Sequence, residues 1–496
     1  MLHDMFSKIF GCHCVGENES NTKEYTWNYN SMNQAVRRMQ YAVRGQIVMR
    51  ADSLAAEGRE IFYTNIGNPQ AVGQKPNTYN RQVMALCDLP REYGIDNAEI
   101  RNIFPNDVIE RAQLILSQIG PCGTGAYSNS QGILGIRQNV AKFIEDRDGH
   151  PSDPDNIFLT NGASSAIDLI LTSLISGQYD AVMIPIPQYP IYSAILARLG
   201  GRQVGYFLDE NKNWSVSEAE LETKLQEALN DALNVKALVM INPGNPTGQV
   251  FSRKEIGIIC KFCAKNGIVL LADEVYQKNV YSQSKKFISA KKVALETPEC
   301  DKLQLISFHS ASKGLIGECG RRGGYMELHH IHSYVQSQLL KLASSNLCPN
   351  IDGQIMTCLM VSPPKGIEPS FKNFILEEEQ IFESLKRRSA ILVEGLNRIE
   401  GIECNSADGA MYLFPKILNL PVKAQEAAES CGMTLDTFYA MSLLEETGIC
   451  VVPASGFGQK EGRNGFRTTF LLPEKQILKV VKEFGRHHSL FCDKYA

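Results

Sequence analysis

From about Gly135 onward the chain repeats one pattern, in which a short apolar run stops on a polar or turn residue and a segment with helical spacing follows. The runs lie within "FLTNGASSAIDLILTSLI", "DAVMIPIPQYP", "GRQVGYF", "VKALVMINPGNPTG", "NGIVLLADEVY" and "LQLISFHS", and stretches such as Arg253 to Ala264 carry the helical spacing between them. Strands that are apolar along their whole length have to be covered on both faces. Their alternation with helices predicts an α/β domain with a mostly parallel sheet between helices. Ligands of such sheets gather at the carboxyl ends of the strands. The polar residues that close the runs are therefore where function is to be sought.

After "VSPPKGIEPS" the pattern changes. Phe382, Leu385, Ser389, Leu392, Leu396 and Ile399 recur at steps of three and four, which predicts a long amphipathic helix. Two strand-like runs, "AMYLFP" and "GICVVPAS", and a helical close follow, giving a smaller α+β domain. The expected division is a leader or extension over 1–24, an N-terminal arm and part of the small domain over 25–97, a large domain over 98–362, and the C-terminal small domain over 363–496.

Composition excludes several classes. At 44% hydrophobic and 21% charged the chain reads as an ordinary globular protein, and a formal net charge of −4 points to neither nucleic acid nor an anionic membrane as partner. No apolar run approaches the roughly 18 residues needed to span a bilayer. The 14 cysteines are scattered, which fits thiols kept reduced in a cytoplasm-like compartment. Cys12 and Cys14 flank His13, but no second ligand cluster completes a metal site, so none is expected.

The strand ends carry the chemistry. Lys313 follows the buried run Leu303 to Phe308, in "SFHSASKG", either as a surface lysine on a loop or as a reactive amine. "VLLADEVY" drives a strand into Asp273, with Tyr276 just beyond; a carboxylate there needs a cation or a donor, unless it is simply an acidic helix start. "NPGNPTG", around Asn245, reads by itself only as a loop. In "NGASSA", Gly162, Ala163 and Ser164 stand where a helix begins, so free N–H groups and the helix dipole can hold a phosphate. Together these ends describe a ligand with a phosphate, a protonated ring nitrogen and an electrophilic carbon for Lys313. Pyridoxal phosphate has all three.

The joint order of "NIGNP" from Asn65, "NPGNPTG", "LADEVY", "SFHSASKG", "RRGGYME" and "GFRTTFL" from Gly465 resembles the class I and II aminotransferases, fold-type I pyridoxal-phosphate enzymes. "SFHSASKG" followed by "GECG" resembles their alanine branch. The resemblance implies a large domain with a mostly parallel seven-stranded sheet plus a smaller α+β domain. By it, Lys313 is the Schiff-base lysine and proton carrier, Asp273 pairs with the pyridine nitrogen, and Asn245 and Tyr276 face the ring's phenolate oxygen. Tyr189 stacks on the ring; Ala163, Ser164, Ser310 and Arg322 hold the phosphate. Arg321 stands where relatives tend to carry an aromatic, and is expected to be solvated unless it takes the phosphate instead. Arg467 clamps the substrate α-carboxylate, helped by Asn245 and by close backbone approach at Gly67. Tyr127 reaches the phosphate of the neighbouring subunit, which makes a homodimer with shared active sites.

The implied reaction is reversible ping-pong exchange of an amino group between alanine and 2-oxoglutarate, giving pyruvate and glutamate. That substrate pair rests on the branch alone; bottom-up reading reaches only an amino acid with an α-carboxylate. Another amino-acid aminotransferase, or an aminocyclopropane-carboxylate-synthase-like lyase on the same scaffold, is the alternative. A regulator carrying such a domain would need a basic helix-turn-helix, for which the leader is too short.

Overall fold

The computed structural model describes residues 25–39 and 45–496, so the 1–24 segment with Cys12, His13 and Cys14 lies outside the described residues. A short strand, β1 (Phe62–Tyr63), precedes seven strands that form one sheet: β2 (Ile157–Asn161), β3 (Asp180–Ile186), β4 (Arg202–Phe207), β5 (Asn234–Ile241), β6 (Val269–Asp273), β7 (Leu305–Ser310) and β8 (Gly323–His329). Their order is β2-β8-β7-β6-β5-β3-β4, and β8 alone runs antiparallel to its neighbours. The sheet is mostly parallel and seven-stranded, as the sequence led one to expect.

Strand period explains how uniformly apolar runs serve two cores. Along β3, Val182 and Ile184 face one side, with Ala237, Val239, Leu271 and Phe308 and the helices Ala163–Leu174 and Ile191–Leu199. Ala181 and Met183 face the other, with Leu238, Met240, Leu270 and the helices Glu218–Asn230 and Arg253–Asn266. The latter helix starts at a capping box, in which Ser252 and Glu255 satisfy each other's backbone donors, and stops at Gly267 in the left-handed region. A third core joins Ile157, Leu159 and Tyr325 to the helices Thr78–Asp88, Asn106–Ile119, Leu134–Asp148 and Ile351–Val361.

Register sets the edge that matters. Ile241 lies opposite Asp273, and Asp273 opposite Phe308. Ser310 lies opposite Gly324, and Asn161 opposite Gly323. The ends of β2, β5, β6 and β7 and the start of β8 thus stand at one level.

The C-terminal part opens with the 27-residue helix Phe371–Asn397, whose buried side includes Leu385, Ser389, Leu392 and Leu396. Six short strands follow: β9 (Ile402–Glu403), β10 (Tyr412–Leu413), β11 (Lys416–Ile417), β12 (Ile449–Cys450), β13 (Val452–Pro453) and β14 (Phe466–Thr469). β14 sits between β10 and β13, and β1 pairs with β12 in parallel, which ties the N-terminal arm to this part. The arm divides its packing, because Thr78–Asp88 shares the third core with large-domain helices.

Candidate active site

One cavity of about 500 Å³ opens at the level edge of the sheet. Gly67, Ala163, Ser164, Tyr189, Asn245, Asp273, Tyr276, Ser310, Lys313 and Arg322 all line it, although they come from positions 67 to 322 of the chain. Two predicted residues do not line it. Arg467 lies behind the wall, and Tyr127 is 79% exposed elsewhere on this single chain.

Asp273 ends β6 and is 4% exposed. Tyr192 donates to its Oδ2 at 3.0 Å, while Oδ1 is buried without a hydrogen-bond partner. Burial pushes this carboxyl up to about 6, against the pull of the Tyr192 hydroxyl, the Val275 N–H and the Lys313 charge. A carboxylate left half-satisfied at a cavity wall is costly unless a cationic donor fills the gap.

Lys313 Nζ donates to the Gly67 carbonyl at 2.6 Å, so the amine is held at the cavity by backbone rather than by a carboxylate. Space, not backbone angle, makes residue 67 a glycine: a Cβ there would fall on the Tyr412 hydroxyl and stand 3.1 Å from Lys313 Nζ.

The helix Ala163–Leu174 aims its N-terminus into the cavity. Its cap, Gly162, has φ +73°, and a Cβ there would lie 2.6 Å from Arg322 Nη2, so both conformation and space call for glycine. Arg322 donates to the carbonyls of Asn161 and Cys319, each at 3.1 Å, and reaches Ser312 Oγ at 3.4 Å. Arg321 turns away from the cavity and pairs with Asp352 at 2.9 Å in a partly exposed ion pair, so it stays partly solvated.

Arg467 is 1% exposed on β14. It donates to Asn245 Oδ1 at 3.1 Å and to the Asn65 carbonyl, and its Nε is buried without a partner. Its guanidinium lies between two rings, 4.5 Å from that of Tyr412 and 5.1 Å from that of Phe457. Tyr276 donates to the Tyr412 hydroxyl at 3.1 Å, and burial, then Tyr412, hold the Tyr276 phenol protonated well above the usual range.

Tyr192, Ser312, Cys319 and Tyr412 belong to this site and escaped the sequence reading. Tyr412 sat in "AMYLFP", which reads only as a strand, since its neighbours Met411 and Leu413 are buried as well. Tyr192 follows Tyr189 by three positions, a spacing that hints at a shared helical face but names no partner. Asp273 is 81 residues away in the chain.

The residues fit pyridoxal phosphate on three features of this structure: the orphaned Asp273 Oδ1, the helix N-terminus beside Arg322, and the amine of Lys313 in one cavity. A fold and a site of this kind define a class of enzyme. The family model for aminotransferase class I and II matches residues 102–484, and the chain belongs to that family, whose cofactor is pyridoxal phosphate.

Particular relatives narrow the picture. The chain is 49% identical to a protein of Dictyostelium discoideum named probable alanine aminotransferase, mitochondrial, over 96% of this chain and 91% of the relative. It is 46% identical to glutamate–glyoxylate aminotransferase 2 of Arabidopsis thaliana, over 95% of this chain and 97% of the relative. Among solved structures, an alanine aminotransferase from Pyrococcus furiosus matches with a TM-score of 0.73 at 23% identity, covering 92% of this chain and 98% of the other, a likeness of fold. Among the described residues no helix is long and apolar enough to cross a membrane, and no cluster of side chains is built to hold a metal ion.

Proposed function

We propose that the chain transfers the amino group of L-alanine to 2-oxoglutarate, reversibly and by a ping-pong course, giving pyruvate and L-glutamate. The observation that carries the cofactor reading is the buried, unpartnered Asp273 Oδ1 in the same cavity as the Lys313 amine. Identity of 49% to a relative named for alanine supports the substrate.

Bound pyridoxal phosphate supplies an electrophilic carbon and a ring that withdraws electrons from the substrate α-carbon. Every other task falls to residues of this chain. Lys313 would hold the cofactor through its Nζ and would carry the proton at the substrate α-carbon. Asp273 would keep the ring nitrogen protonated, its Oδ2 being taken by Tyr192 and its Oδ1 left without a partner. Ala163, Ser164, Ser310 and Arg322 hold the phosphate, with Ser312 as an added hydroxyl. Tyr189 would hold the ring by its face, and Asn245 and Tyr276 would hold the ring oxygen. Arg467 takes the α-carboxylate in a two-pronged pair, for which its unpartnered Nε and its present hold on Asn245 and the Asn65 carbonyl leave donors available. The Gly67 backbone would approach that carboxylate closely, its missing Cβ leaving space that the Tyr412 hydroxyl fills.

The assembly proposed is a homodimer in which Tyr127 serves the partner's site; its exposure on a single chain supports this. The compartment proposed is the cytoplasm, tested by fractionation, and a mitochondrial pool would replace it.

A second reading, glutamate with glyoxylate, is favoured by the 46% identity to the Arabidopsis enzyme. Steady-state rates with glutamate as donor separate the two. A higher kcat/KM for pyruvate than for glyoxylate is expected, and the reverse order would move the assignment to the second reading.

A further inference from the structure

Tyr412 stands at the junction of two groups that the proposed function treats as unrelated. It lies on β10, where it pairs with Thr469 of β14. Arg467 is two residues from Thr469 on the same strand, so the Tyr412 and Arg467 side chains are diagonal neighbours on one face. That register lays the Tyr412 ring against the guanidinium at 4.5 Å. The far end of the same side chain reaches the cavity, where its hydroxyl meets that of Tyr276 at 3.1 Å with the two rings perpendicular. Tyr412 is 2% exposed, so neither contact competes with bulk water.

Each tyrosine hydroxyl has one proton and can also accept. Between themselves the two hydroxyls need only one of their protons. Here Tyr276 donates to Tyr412; with an acceptor such as the ring oxygen in the cavity the pair can turn round, Tyr412 donating to Tyr276 so that the Tyr276 proton points at that acceptor. A Cβ on residue 67 would fall on the Tyr412 hydroxyl, so glycine there leaves that hydroxyl its place beside Tyr276.

We infer that Tyr412 is a positioning residue with two separable tasks: its hydroxyl directs the Tyr276 proton toward the cofactor's ring oxygen, and its ring braces Arg467 for the substrate carboxylate. The inference rests on the proposed roles of Tyr276 and Arg467 and adds the residue that couples them. A donor at the ring oxygen disfavours a proton held between that oxygen and Lys313 Nζ. Losing the donor therefore raises the pH at which that proton leaves.

The test uses the holoenzyme and the pH midpoint of its visible absorbance band. Tyr412→Phe removes the hydroxyl and keeps the ring. It is expected to raise the midpoint by about 0.4–1 unit, the size of one net hydrogen bond, and to leave the KM for the amino acid near the parent value. Tyr412→Leu removes both, and is expected to add a rise in KM of roughly 3- to 30-fold from the lost cation–ring contact. Because the hydroxyl acts through Tyr276, Tyr276→Phe combined with Tyr412→Phe should shift the midpoint no further than Tyr276→Phe alone.

An unmoved midpoint in Tyr412→Phe, with Tyr276→Phe moving it, would overturn the inference and leave the role of Tyr276 intact. Fully additive shifts in the double variant would also overturn it. If Tyr276→Phe itself moves nothing, the reading of Tyr276 falls instead, and the hydroxyl task falls with it. Tyr412→Phe changes a single atom in a packed wall, and the melting temperature and dimer content of the loaded variant verify that it folds.

Discussion

Arg467 shows why a residue's identity matters beyond its charge. A buried guanidinium held between two rings with hydrogen bonds to Asn245 and the Asn65 carbonyl has its plane fixed before any substrate arrives. Arg467→Lys keeps the charge and loses both the plane and the fork. Loss of about 1.5–3 kcal/mol of carboxylate binding is expected, read as a KM for alanine raised roughly 10- to 100-fold. An unchanged KM would place the carboxylate elsewhere. Single residues were legible in the sequence when a motif fixed their surroundings, as with Lys313 and Asp273. Tyr192 and Tyr412 were not, because what brings them to the site is a partner 81 or 136 positions away in the chain. Chain spacing carries no trace of such a meeting. The ion pair of Arg321 was hidden for the same reason, since Asp352 is brought to it only by the fold.

At the scale of elements, the start of the helix Ala163–Leu174 concentrates local constraints. Gly162→Ala forces a Cβ into a left-handed position and into the Arg322 guanidinium. Displacement of both phosphate-facing groups is expected to weaken retention of pyridoxal phosphate about 10-fold or more, a cost of the order usual for strained backbone, measured by equilibrium dialysis. Retention equal to the parent's would mean that this helix end does not hold the phosphate.

Behind β6, Glu274 is fully buried, with Arg147 at 4.0 Å and the Ala290 N–H as donor at 2.7 Å. Burial pushes its carboxyl up to about 8, Arg147 pulling it down, with Asp148 and Glu327 adding to the rise. The folded chain thus binds a proton that the unfolded chain has lost above about 4.5. Stability falls as pH rises from there through about 8. Glu274→Gln removes this dependence, so its melting temperature should decline less between pH 6 and 8 than that of the parent; parallel declines would exclude Glu274 as the source. The sheet's elements were readable from sequence because each is a continuous apolar run. The two-residue strands β9 to β13 were not separable, since so short a run has no period to detect.

At the scale of the molecule, the level edge of a mostly parallel sheet gathers five strand ends beside one cavity. Tyr127 is the one predicted cofactor residue that this chain leaves outside it. If the partner subunit completes the site, Tyr127→Phe and Lys313→Ala chains should complement each other. Mixed dimers would carry one site with both Lys313 and an intact Tyr127 from across the interface. Cofactor affinity in that site should return to the parent value, whereas no recovery on mixing would confine each site to its own chain. The general arrangement was legible because alternation and motif order are properties of the whole chain. Assembly is expected only through family resemblance, since no surface pattern in one sequence states what covers it.

The most direct measurement is a half-reaction, in which the loaded enzyme is mixed with alanine and no oxo acid while its visible absorbance and pyruvate release are followed. One pyruvate per subunit with loss of the visible band, restored by 2-oxoglutarate, is the predicted result. A band that alanine leaves unchanged would contradict the assignment of alanine as amino donor.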